Sequence, residues 1–184
     1  MPRTIAFLVA PEGAEQEDVL ACTQAVLDAG GVPRLLSTLE PGAGVRALDD
    51  LERGLELEVD VSVEQAVLGD YDGLVLPGGL VGADALRLQS SAVELVRDWV
   101  GEGRPVAAVG HAPWLLVEAH VAGGKTMTST PSIATDLVNA GAQWVDGEVQ
   151  VCPADGWVLV TSRGSADLPA FTTAMLRAFG LERS

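Results

Sequence analysis

Apolar residues fall in short runs that alternate with segments of helical period. Thr4 to Val9 is a run of strand length ending in Ala-Pro-Glu-Gly, and Glu15 to Ala29 follows with Val19, Cys22, Val26 and Leu27 at helical spacing. Gly30 and Gly31 stop that helix, and Val32 to Leu39 reads as a second strand, so the chain opens as strand, helix, strand. Glu40 to Leu68 mixes Pro41, Gly42 and Gly44 with a polar alternation around Glu56 to Val59, which suits an edge hairpin or an irregular excursion better than a core element.

From Tyr71 onward the pattern sharpens. Gly73 to Leu76 is a continuous apolar run, as a strand buried on both faces requires, and Pro77-Gly78-Gly79 ends it. Ser91 to Gly101 has helical spacing, Pro105 to Val109 is another buried strand, and Gly110 to Pro113 is the next turn, with Pro113 suited to the first turn of a helix that continues through Ala119. A short strand near Lys125 to Thr128 follows, then a helix capped by Ser129 or Ser132 and running to Asn139. Strands around Val149 and Leu159 and a helix from Leu168 to Phe179 complete the pattern. Strands alternating with helices predict an α/β fold with a mostly parallel sheet covered on both faces. With no repeat, low-complexity tract or linker, residues 1–184 read as one domain.

Composition narrows the functional classes. The chain is 48% apolar and 20% charged, which excludes disorder, and no apolar run is long enough to cross a bilayer. The short apolar N-terminus runs into Glu12 without a cleavage signal and reads as a strand, not a leader. A net charge of −15 repels phosphate backbones and anionic lipid, so neither nucleic acid nor membrane is expected as a partner. Two distant cysteines, Cys22 and Cys152, predict a reducing compartment and two buried, structural thiols. The two histidines, His111 and His120, are not at metal-ligand spacing, so no metal or other cofactor is expected; His120 complements a helix C-terminus. The four tryptophans are assigned to core or interface, with Trp114 placed to wall the pocket.

In such sheets ligands sit beyond the carboxyl ends of the strands. Three loops qualify: Ala10 to Glu15, Pro77 to Asp84, and Gly110 to Ala112. They carry Glu15, Asp84 and His111, with the backbone amides of Gly78 and Gly79. Buried strand, tight turn and helix around Gly110 have the form of a nucleophile elbow, but the elbow residue is glycine, which supplies no thiol, hydroxyl or carboxylate.

Val109 to Glu118, Gly124 to Val145, Leu76 to Gly79, Val160 to Arg163 and Asp167 to Phe171 together resemble the PfpI (ThiJ/PfpI) superfamily over nearly the whole chain. The resemblance implies a flavodoxin-like three-layer sandwich, a homodimer or larger homo-oligomer, and a cytoplasmic location. It also implies a role among intracellular proteases, deglycases, glyoxalases and chaperone-like stress proteins. Residue by residue, it matches the elbow cysteine to Gly110, the following histidine to His111, and the acid beneath the elbow to Glu15. The amides near Gly79 and His111 become the oxyanion donors, with Gly78 beside them, and Asp84 becomes an acid that in some members crosses from a neighbouring subunit to orient the histidine. The expected function is a stress-related, non-catalytic or regulatory homologue that keeps a pocket for a small carbonyl or carboxylate. The alternative is a cysteine-independent hydrolase, deglycase, glyoxalase or protease using Glu15 and His111 as acid and base.

Overall fold

The computed structural model describes residues 1–182. Its twelve strands are β1 (Thr4–Leu8), β2 (Glu12–Glu15), β3 (Val32–Ser37), β4 (Gly44–Asp49), β5 (Glu52–Glu58), β6 (Val61–Ser62), β7 (Gly73–Leu76), β8 (Val106–Val109), β9 (Thr126–Met127), β10 (Gln143–Trp144), β11 (Val149–Cys152) and β12 (Leu159–Ser162). The six α-helices are α1 (Gln16–Asp28), α2 (Leu80–Arg87), α3 (Ser90–Gly101), α4 (Pro113–Glu118), α5 (Ala134–Asn139) and α6 (Leu168–Ala178). Seven strands form the central sheet in the order β11-β12-β8-β7-β1-β3-β6. All its pairings are parallel except β11 with β12.

The continuous apolar runs are explained by burial on both faces. Along β1 and its neighbours, Ala6, Leu8, Leu74, Leu76, Val106 and Ala108 enter one core with Trp99, Leu115 and Leu116 from the helices α3 and α4. The alternate residues Ile5, Phe7, Val75, Ala107, Val109 and Val160 enter a second core with Cys22 and Val26 of α1 and Phe171 and Met175 of α6. Each fully buried Val, Leu, Ile, Phe or Met among them contributes about 1.5–3 kcal/mol. No described helix is long and apolar enough to cross a membrane.

Three local features differ from the sequence reading. Ala10 to Glu15 is not all loop: β2 pairs with β4, and β4 with β5, in a separate three-stranded sheet beside the main one. The loop after β7 is only three residues long, because α2 begins at Leu80; Gly82 interrupts the apolar spacing and hides the helix from a periodicity search. Neither Ser129 nor Ser132 caps α5, which follows a 3₁₀ turn over Pro131–Ile133. Ser129 Oγ instead donates to the Thr130 carbonyl and accepts from the Trp144 indole.

Immediately before β9 the chain buries a lysine. The ammonium of Lys125 donates to the carbonyls of Ala154 and Trp157, the latter at 2.8 Å, and sits 3.7 Å from the centre of the Trp157 ring. Lys125 has no exposed surface, and burial lowers its pKa.

Candidate functional site

After β1 the chain leaves toward β3 on one side, and it later returns to build β7 and β8 on the other. The divergence makes a switch point at the carboxyl ends of the strands. A cleft of about 230 Å³ opens there, lined among others by Glu15, Asp18, Gly79, Gly110, His111, Thr130 and Ser165.

The elbow is built as its sequence suggests. Gly110 ends β8 with φ +61°, its amide donates to the Ser162 carbonyl at 3.1 Å, and its carbonyl accepts the Thr130 amide at 3.1 Å. Pro113 occupies the first turn of α4. A left-handed φ costs an L-residue about 1–2 kcal/mol, so glycine holds this shape without strain. A Cβ placed on Gly110 meets Thr130 Oγ1 at 3.5 Å, the Arg163 carbonyl at 3.8 Å and Gly78 Cα at 3.9 Å, all ordinary contacts. The backbone of an elbow is therefore present, with room for a Cβ at position 110.

A buried acid on α1 is hydrogen-bonded to the glycine turn beside this backbone. Asp18, on α1, is 2% exposed. Its Oδ2 accepts the Gly78 amide at 3.0 Å and its Oδ1 accepts the Ser165 hydroxyl at 2.8 Å. Burial pushes the Asp18 carboxyl up to about 6, a rise that these two hydrogen bonds only partly oppose. A signal for it exists: Asp18 lies four residues before Cys22, on the buried stripe of α1, where an ionisable group is expensive to bury without a role.

Glu15 stands nearer solvent at the start of α1. Its Oε1 accepts the Asp50 amide at 3.3 Å, and partial burial with the nearby Asp50, Asp49 and Glu17 raises its pKa. His111 Nε2 lies 3.3 Å from Ser132 Oγ, and the imidazole faces Trp114 with ring centres 5.5 Å apart. Burial lowers the His111 pKa, which favours neutral imidazole. Asp84 is exposed on α2 and does not line the cleft; within one chain it is not brought to His111.

The two predicted amide donors of the glycine pair have different fates. The Gly78 amide is already committed to Asp18. The amides of Gly79 and His111 donate to no protein acceptor among the described residues, so the cleft keeps two unclaimed N–H groups. Gly79 has φ +112°, and a Cβ there falls 2.3 Å from the Gly13 carbonyl oxygen and 2.7 Å from the Glu15 nitrogen. No other residue type fits that approach.

Both cysteines are free and buried, and neither lines the cleft. Burial pushes the Cys22 thiol up, and the Asp18 carboxylate adds to the rise. Among the described residues no group of three His, Cys, Asp or Glu side chains is arranged to hold a metal ion. Glu15, Asp18 and Asp50 line the cleft, and no Lys or Arg is among its described lining residues.

Comparison with known proteins places this geometry. Residues 3–178 match the DJ-1/PfpI family. The chain is 38% identical over 143 residues to protein/nucleic acid deglycase 2 of Escherichia coli, covering 78% of this chain and 80% of that protein. It is 39% identical over 121 residues to general stress protein 18 of Bacillus subtilis, covering 66% and 68%. The crystal structure of Drosophila melanogaster DJ-1beta superposes with a TM-score of 0.82 at 32% identity, covering 98% of this chain and 92% of that one.

Proposed function

The chain belongs to the DJ-1/PfpI family, and from that premise we propose that it binds a small, uncharged carbonyl compound in the elbow cleft without covalent catalysis at position 110. The observation that carries this reading is Gly110 itself, which keeps the left-handed elbow conformation and the space around it but offers no nucleophilic atom. A ligand carbonyl is matched by the unclaimed amides of Gly79 and His111. The three carboxylates lining the cleft disfavour a carboxylate ligand and leave the neutral carbonyl as the better fit. Relatives named deglycase and general stress protein agree with a carbonyl-derived ligand and a protective role.

The acid–base alternative keeps one supporting observation. A carboxyl near the operating pH suits general acid–base work, and here that group is Asp18 in place of Glu15. The two readings part in one experiment: small dicarbonyls and glycated thiols are offered to the wild type, to Gly110→Cys and to Asp18→Asn, with binding followed separately by tryptophan fluorescence. The proposal expects carbonyl binding by the wild type, with turnover only in Gly110→Cys. Dicarbonyl turnover by the wild type that Asp18→Asn abolishes would establish the acid–base reading instead.

A further inference from the structure

The cleft contains a hydroxyl that the elbow reading does not use. Ser165 opens the 3₁₀ turn Ser165–Asp167 ahead of α6, is half-buried and lines the cleft. That Oγ donates to Asp18 Oδ1 at 2.8 Å, and the Gly78 amide holds the other carboxylate oxygen at 3.0 Å. Nucleophile, base and orienting donor therefore stand in a hydrogen-bonded line. The turn is rigidly held. Arg163 Nε and Nη2 donate to the two carboxylate oxygens of Asp167 at 2.8 and 3.0 Å, and the Arg163 carbonyl accepts Thr130 Oγ1 at 3.0 Å. A Cβ on the intervening Gly164 meets nothing within 4 Å, so the approach beside Ser165 is open.

We infer that Ser165 and Asp18 form a hydroxyl–carboxylate dyad that accepts acyl groups from small activated esters entering the same cleft. The inference rests on the reading of the cleft as a carbonyl site, but not on position 110. Ser165 Oγ attacks the ester carbonyl carbon: the Oγ–C bond forms, the carbonyl π pair moves to oxygen, and the Ser165 proton passes to Asp18. The oxyanion is received by the free amides of Gly79 and His111. Collapse re-forms the carbonyl and expels the alcohol, which takes the proton from Asp18. Water, deprotonated by Asp18, then hydrolyses the acyl-serine, and Ser165 regains its proton. The titration of Asp18 near 6 leaves it ionised, as a base, at neutral pH.

The test needs no knowledge of the natural ligand. The full chain is treated with a fluorophosphonate, the labelled peptide is identified by mass spectrometry, and p-nitrophenyl acetate hydrolysis is followed between about pH 5 and 8. The expected result is one adduct on Ser165, a hydrolysis rate that rises through about pH 6, and a loss of about 100-fold or more in Ser165→Ala and Asp18→Asn, the scale of a general-base contribution. Ser165→Cys, which keeps a nucleophilic atom at the same place, is expected to retain acyl transfer and guards against a mere folding defect. An adduct on another residue, no adduct, or hydrolysis unchanged in Ser165→Ala overturns the dyad. If carbonyl binding measured by fluorescence survives that outcome, the reading of the cleft stands; if binding is absent too, both fall.

Discussion

Asp18 and Gly78, sixty positions apart in the chain, are joined by a 3.0 Å hydrogen bond in which the Gly78 amide donates to Asp18 Oδ2. The bond ties the start of α1 to the turn after β7, and it leaves a carboxyl in the interior of a protein that already carries a net charge of −15. That carboxyl marks the molecule's stability with a definite pH dependence.

The folded chain raises the Asp18 pKa from 3.8 to about 6. Between those values the folded state holds a proton that the unfolded state releases. The contribution to stability is thus complete below about pH 4 and lost as the pH climbs through about 6. At 1.36 kcal/mol per pKa unit the loss is about 3 kcal/mol. Asp18→Asn is expected to remove this slope: denaturant midpoints of wild type and variant, compared at about pH 4 and 7, should converge or cross as the wild type gains on acidification. Parallel midpoints would refute the assignment. Glu15, raised in the same direction, is present in both proteins, so what differs between them is Asp18 together with its repulsion from Glu15.

Two glycines with left-handed backbones predict opposite tolerance. At Gly110 the space for a Cβ is open, so Gly110→Cys is expected to lose only the conformational term, about 1–2 kcal/mol, a fall in Tm of roughly 2–8 °C. At Gly79 the Cβ enters the van der Waals shell of the Gly13 carbonyl and the Glu15 nitrogen, so Gly79→Ala is expected to cost about 3 kcal/mol or more and to close the cleft. Thermal melts of the two variants side by side decide it; equal losses would contradict the geometry.

The Arg163–Asp167 pair acts in the opposite pH sense from Asp18. Two guanidinium hydrogen bonds hold the nearly buried Asp167 carboxyl below its usual value of 3.8. Its stabilisation is present above about pH 4 and lost as the pH falls through the depressed value. Arg163→Ala is therefore expected to lower the denaturation midpoint at neutral pH and to approach the wild type as the solution is acidified below about pH 4. A deficit that is constant with pH would place the effect elsewhere.

Trp114 should report on ligand entry. It does not itself line the cleft, contrary to the expectation from sequence, but its ring lies 5.5 Å from that of His111, which does, and its indole nitrogen donates to Asp136 at 2.8 Å, so an occupant that shifts His111 changes the surroundings of an anchored fluorophore. The expected carbonyl-dependent change in emission should disappear in Trp114→Phe while the affinity measured by calorimetry stays within about threefold of the wild type. A signal that persists in the variant belongs to another tryptophan.

How much of this was legible beforehand depends on the kind of signal. The strands β1, β7 and β8 announce themselves because burial on both faces demands unbroken apolar runs, and Gly110 and Pro113 announce the turn between β8 and α4. Glu15 and His111 were found through their loops, and both line the cleft. Asp18 lies outside those loops, inside a helix whose apolar spacing reads as scaffold, although its place one turn before Cys22 puts it among buried residues. Ser165 gave no local signal. The role proposed for it depends on a contact with a residue 147 positions away, which only the closed fold creates. The commitment of the Gly78 amide to Asp18 was equally invisible, since it is settled by tertiary packing and not by the glycine pair.

Lys125 is the only lysine in the chain, and it is fully buried against the Trp157 ring. The folded surface therefore presents no lysine amine, the side-chain group that reactive aldehydes modify most readily into imines and stable adducts. The exposed side-chain groups left for carbonyl compounds to modify are then the guanidiniums, such as those of Arg3, Arg34 and Arg177. Chemical ageing of the folded molecule is directed away from lysine, which becomes open to such damage only when the chain unfolds.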